Sequence, residues 1–64
     1  MTAEETVEYS TADLRRVGRA VKAADPGTAR MLRREDGVTS LEGIGRYVLG
    51  CDPEQFERII EEGR

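Results

Sequence analysis

The sequence predicts an all-α protein: a compact array of four short helices, over about residues 11–24, 26–34, 40–49 and 53–62. Three observations predict it. Apolar residues recur at three- and four-residue spacing, and nothing alternates with period two over a useful length. Helix-start signals recur four times: Ser10 with Asp13, Asp25-Pro26, Thr39 with Glu42, and Asp52-Pro53. Glycines or charged turns stand where each periodic stretch runs out. The 64 residues suffice for one domain, near the lower limit at which a single core outweighs chain entropy. We expect a flexible acidic N-terminus over 1–9 and one small helical domain over 10–64.

The first helix opens on a capping box, Ser10 to Asp13, with Tyr9 and Leu14 at the positions of a hydrophobic staple. Leu14, Val17, Gly18 and Val21 then share one stripe, and Arg15, Arg16, Arg19 and Lys22 take the other side. In the second helix Asp25 supplies the cap, and Pro26 stands where its missing N–H is harmless. Ala29 and Leu32 form a thin apolar face. Arg30, Arg33 and Arg34 crowd the last turn, where cations complement the helix dipole, and Glu35-Asp36-Gly37 reads as the closing loop.

Thr39 with Glu42 predicts the third start; Leu41, Ile44 and Val48 form its stripe, and Gly50 is expected to stop it. Gly43 and Gly45 cost about 1 kcal/mol each relative to Ala, a penalty that close helix packing would offset. Asp52-Pro53 begins the fourth helix, with Cys51 and Phe56 at staple positions and Phe56, Ile59 and Ile60 on the buried edge. The expected core is therefore Leu14, Val17, Val21, Leu32, Leu41, Ile44, Val48, Phe56, Ile59 and Ile60, with Cys51 a buried structural residue.

Composition excludes several functions. With no His and one Cys there is no internal disulfide framework, and the usual zinc-ligand sets cannot be assembled, so neither metal nor cofactor is expected. No base stands beside the thiol in sequence, and Glu57 and Glu61, one turn apart, read as a solvated face; no catalytic residue is expected. Nothing approaches the roughly 20 apolar residues of a membrane span, and the lone Cys suits a reducing compartment, so a soluble cytoplasmic protein is expected.

Charge is strongly segregated. Residues 1–9 carry −3, residues 10–34 carry +5 and residues 35–64 carry −5. The positive segment holds Arg15, Arg16, Arg19, Lys22, Arg30, Arg33 and Arg34, which merge into one patch if the first two helices are neighbours.

In residues 40–60, a small residue mid-helix (Gly45), a turn glycine (Gly50), an apolar residue after it (Cys51) and two anchors (Phe56, Ile59) resemble the helix-turn-helix of small regulators. Gly45 to Gly50 is one residue longer than that pattern. The resemblance implies a DNA-reading second helix, yet Glu54, Glu57, Glu61 and Glu62 outnumber Arg58 there, and acids repel phosphate. "LEGIG" resembles the glycine hairpin of helix-hairpin-helix proteins, which implies a phosphate contact, and "TSLEGI" resembles the carrier-protein motif around its modified serine, at Ser40.

The expectation is a non-enzymatic protein-interaction module, an adaptor, inhibitor or regulatory subunit, that uses the seven bases to bind another protein with an acidic surface. The alternative is a helix-turn-helix DNA-binding regulator whose phosphate contacts come from the first two helices. Nucleic acid is the weaker partner because the acidic half opposes it and no aromatic interleaves with the bases. No membrane partner is expected, and self-association is compatible with the sequence.

Overall fold

A computed structural model describes residues 9–63 of the chain. It contains four helices and, among the described residues, no strand: α1 (Thr11–Ala24), α2 (Pro26–Asp36), α3 (Leu41–Cys51) and α4 (Pro53–Glu62). The four-helix all-α array is thus the fold. The acidic segment 1–8, expected to be flexible, lies outside the described residues. No helix among the described residues is long and apolar enough to cross a membrane.

Each helix begins on a side-chain cap. Ser10 Oγ accepts the Asp13 N–H at 3.1 Å, Asp25 Oδ1 that of Thr28 at 3.3 Å, Ser40 Oγ that of Gly43 at 3.0 Å, and Asp52 Oδ1 that of Gln55 at 3.3 Å. The third cap is Ser40 and not Thr39. That one-residue shift frees Glu42 from any capping role, and it pairs instead with Arg46 at 3.1 Å, one turn along the same helix.

Two helix ends also differ from expectation. Glu35 and Asp36 continue α2, which closes at Gly37, φ 68°; the Val38 N–H then reaches back to the Leu32 carbonyl at 3.1 Å. This left-handed cap is the position that favours glycine. Gly50 lies inside α3 and does not stop it. The break is set by Pro53, whose ring disfavours helical backbone at Asp52, just as Pro26 does at Asp25. Cys51 consequently ends α3 on its exposed side, not buried against Phe56.

The core comprises Leu14, Val17, Val21, Leu32, Ile44, Val48, Leu49 and Ile60, with Leu41, Phe56 and Ile59 only partly buried against it. Leu49 falls off the Leu41–Ile44–Val48 stripe, yet α3 touches both α1 and α4, so a second face is buried. The dominant contact is α1 with α3. A Cβ at Gly18 would fall on the Leu41 carbonyl oxygen, and a Cβ at Gly45 on the Leu14 carbonyl oxygen. The two backbones therefore meet directly, running in opposite directions, and the reciprocity of the two contacts is that of a two-fold axis.

That symmetry is written in the sequence. Leu14, Gly18, Arg19, Val21, Asp25, Pro26 and Glu35 recur 27 positions later as Leu41, Gly45, Arg46, Val48, Asp52, Pro53 and Glu62. The backbone agrees: Asp25 has φ −144° and ψ 74°, Asp52 has φ −148° and ψ 78°, and their N–H groups close onto the Val21 and Val48 carbonyls respectively. The molecule is two copies of one helix–corner–helix unit, joined at glycine crossings. Gly43 and Gly45 lie within continuous α3, so "LEGIG" forms no hairpin between helices.

Candidate functional site

The repeat makes each surface of one half comparable with its counterpart in the other. On the second half, α4 packs against both α3 and α1; on the first, α2 packs against α1 and makes scant contact with α3. The side chains explain the difference. Leu49 and Ile60 are buried and Phe56 is half-buried, whereas their equivalents are exposed Lys22, exposed Arg33 and the small Ala29. Where the second half is filled, the first half leaves a cleft of about 270 Å³ between α1, α2 and the start of α3.

The floor of this cleft is apolar, formed by Ala29, Val38, Leu41 and Ile44. Its rim is basic, formed by Lys22 from α1 and Arg30 and Arg33 from α2. No acid lines it. None of the seven bases has an ion-pair partner among the described residues. Contrast Arg46, the counterpart of Arg19: it is neutralised by Glu42, whose own counterpart is Arg15. The first half has therefore replaced an ion pair with two cations.

The seven bases do not form a single ring. Arg15, Arg19 and Lys22 follow one another at helical spacing along exposed α1, and Arg34 is exposed one turn beyond Arg30. Arg16 points elsewhere. Its guanidinium lies over Gly63 at the end of α4, in the space a Cβ would need, where it complements the negative end of that helix. Six bases thus face outward around the α1–α2 side, and three of them converge on the cleft.

The opposite side is closed by a different device. The half-buried Tyr9 hydroxyl donates to Glu57 Oε2, tying the approach to α1 onto α4. That hydrogen bond holds the phenol protonated, with burial and the Glu57 charge adding to it, and pushes Tyr9 up to about 12. In α4, Glu57 is therefore engaged, while Glu54, Arg58, Glu61 and Glu62 are exposed. The α3–α4 corner consists of Asp52 alone, with Gly50 inside α3 and Cys51 exposed.

No group of three or more Cys, Asp or Glu among the described residues is placed to hold a metal ion. Near Cys51, Tyr47 is exposed and its phenol is shifted upward, first by repulsion between the phenolate and a Cys51 thiolate and then by a hydrogen bond to Cys51. Comparison of the chain with protein-family models, curated proteins and solved structures returned no match.

The floor residues Val38 and Ala29 carry no charge and no unusual chemistry. The role of Ala29 becomes legible only against the second half, where its equivalent is Phe56.

Proposed function

We propose that this chain is a non-enzymatic protein-interaction module that binds an acidic protein surface through the α1–α2 face. The observation that carries the reading is the convergence of Lys22, Arg30 and Arg33, from two helices, on a cleft with an apolar floor that no acid lines among the described residues. Solvated arginines scattered over a helix surface would not leave an apolar floor between them. Unpaired cations at the rim steer an anionic partner and fix its register, while the floor supplies apolar burial that charge alone lacks. An adaptor, inhibitor or regulatory subunit acts in this way.

Arg15, Arg19 and Arg33 are exposed, so reversing all three to Glu leaves the core intact. The triple variant is expected to keep its helicity and to lose the proteins that wild type captures from a lysate of the source cells. An unchanged capture profile would reduce the arginine face to solvated surface. Duplex DNA is titrated in parallel at two salt concentrations. Binding to DNA whose logarithmic affinity falls by about 0.9 per phosphate contacted for each logarithmic unit of salt, and which the variant loses, would favour a DNA-binding regulator instead.

A further inference from the structure

The two halves of the repeat differ at one place in a way that specifies a ligand. On the filled side, Leu14 and Val17 of α1 are buried and α4 packs against α1, with Ile60 in the core and Phe56, one turn before it, partly buried against it. The equivalents of Leu14 and Val17 are Leu41 and Ile44 of α3, and they form the floor of the cleft beside α2. The equivalents of Phe56 and Ile60 are Ala29, whose single methyl packs against the core edge, and Arg33, which is exposed. The position is shaped by the same backbone but lacks the side chains that would close it.

We propose that the α1–α2–α3 cleft is a docking site for an acidic amphipathic helix of a partner protein, which inserts two apolar side chains spaced one turn apart and sets carboxylates against Lys22, Arg30 and Arg33. This rests on the protein-interaction reading and deepens it by naming what enters the cleft. Two features of the molecule select that occupant. The repeat shows which side chains complete this backbone environment, an aromatic and an aliphatic at i and i+4, as α4 supplies on the other half. The rim selects the charge, since three cations with no acid among the described lining residues attract carboxylates and repel a basic helix. α4 itself combines both properties, Phe56 and Ile60 with Glu54, Glu57 and Glu61, and so shows that this composition forms a helix.

The test uses the full-length protein and a synthetic peptide with the α4 pattern, a Phe and an Ile four residues apart and Glu on the outward positions. One control peptide carries Lys for each Glu, and a second carries Ser for the Phe and Ile. Affinity is read by titration calorimetry or by anisotropy of a labelled peptide. Ala29→Phe places in the cleft the residue found at the equivalent site, without altering any charge; Ala29→Leu is a smaller version should Phe perturb the fold. Both are expected to keep wild-type helicity, to melt no lower than wild type, and to bind the acidic peptide at least about tenfold more weakly. The two control peptides are expected not to bind.

Acidic-peptide binding that survives both Ala29 variants would overturn the cleft while leaving an arginine-face interaction standing. No binding of the acidic peptide tighter than about 1 mM would overturn it as well. Arg15→Glu with Arg19→Glu, which lie outside the cleft, separates the two ideas. Loss of binding in that double variant without any loss in Ala29→Phe assigns the interaction to the outer arginines alone. Competition by duplex DNA for the same residues, mapped by amide chemical shifts, would assign the cleft to nucleic acid and end the proposal.

Discussion

The halves 11–36 and 41–62 share a corner, a glycine crossing and a cap chemistry, yet one is open and basic while the other is filled and acidic. What they share is backbone, and it lies where the two units touch each other: Gly18 on Leu41, Gly45 on Leu14. What they do not share is the outward-facing side chains of the second helix in each unit. Conservation of the joint with divergence of the outer helices teaches that the crossing is what holds the fold, and that the outer helix of each half was free to take a separate task. One became core, and the other an open charged surface.

The crossing is where the comparison breaks most readily. Gly18→Ala and Gly45→Ala each drive a methyl group into a backbone carbonyl, which cannot rotate away as a side chain can. Each is expected to cost about 3 kcal/mol or more, comparable with the total stability of a domain this size, so both variants should be largely unfolded by circular dichroism. Equal losses sharpen the two-fold relation. A stably folded variant at one glycine alone would break it.

Next come the equivalent positions Leu32 and Ile59, with Phe56 beside them. Leu32 is 0% exposed, while Ile59 and Phe56 are partly covered. Leu32→Ala should cost about 2–5 kcal/mol, and Phe56→Ala about 2–3 kcal/mol, less than full burial would imply. Denaturant midpoints at constant slope give the comparison directly. A larger loss for Phe56 would mean that α4, not α2, anchors the core.

In the opposite direction, making the first half like the second should stabilise it. Lys22→Leu with Ala29→Phe and Arg33→Ile installs the three side chains of the sealed half and is expected to add about 2 kcal/mol, from roughly 1.5–3 kcal/mol per large apolar side chain fully buried, less what stays solvated. Thermal melting reads it. A fall in melting temperature would show that the cleft is not the vacant counterpart of the α4 packing site.

The smallest effects concern pH. Asp25 and Asp52 cap equivalent helices, but Asp25 also accepts the Thr28 hydroxyl at 2.6 Å, where the other half has Gln55. That hydroxyl, with the Thr28 N–H, holds the Asp25 carboxyl below its ordinary value. A depressed folded value stabilises above the unfolded one, near 3.9, and the stabilisation is lost as pH falls through the lowered value. Asp25→Asn should therefore flatten the acid limb of a stability profile slightly, and an unchanged limb would show that the Thr28 contact is not formed. Tyr9 acts at the other extreme. Its folded value is raised to about 12, so its stabilisation is intact below the ordinary 10 and fades as pH climbs towards 12. Tyr9→Phe should remove that alkaline limb, and ultraviolet titration should show the late-ionising phenol disappear. Loss of neither would break the Tyr9–Glu57 tie that seals the second half.

Much of the fold was legible because helices announce themselves locally. Caps at Ser10, Asp25 and Asp52 and the stripe Leu14–Val17–Val21 depend on neighbours three or four residues away, a distance the sequence shows directly. Errors arose where two local signals competed. Thr39 and Ser40 both can cap, and Gly50 and Pro53 both can end a helix; proline wins because its ring constrains the preceding residue whatever the packing, whereas glycine only permits a break. Cys51 followed from that second choice. The basic patch was legible as a list of residues but not as a site, since Arg16 shares a helix with Arg15 and Arg19 and yet turns to Gly63.

By itself, the sequence determined four helices, the residues that start them, most of the core and the segregation of charge, because each follows from periodicity or from chemistry within one turn. Tertiary structure alone decided which surfaces meet. The reciprocal contacts of Gly18 and Gly45, the burial of Leu49 on a second face of α3, and the cleft that brings Lys22 to Arg30 and Arg33 all join residues far apart in the chain. Even the 27-residue repeat, though present in the letters, emerged from the matched corners at Asp25 and Asp52. A helix fixes what lies on its own faces; only the angle and closeness at which two helices cross fixes what those faces touch.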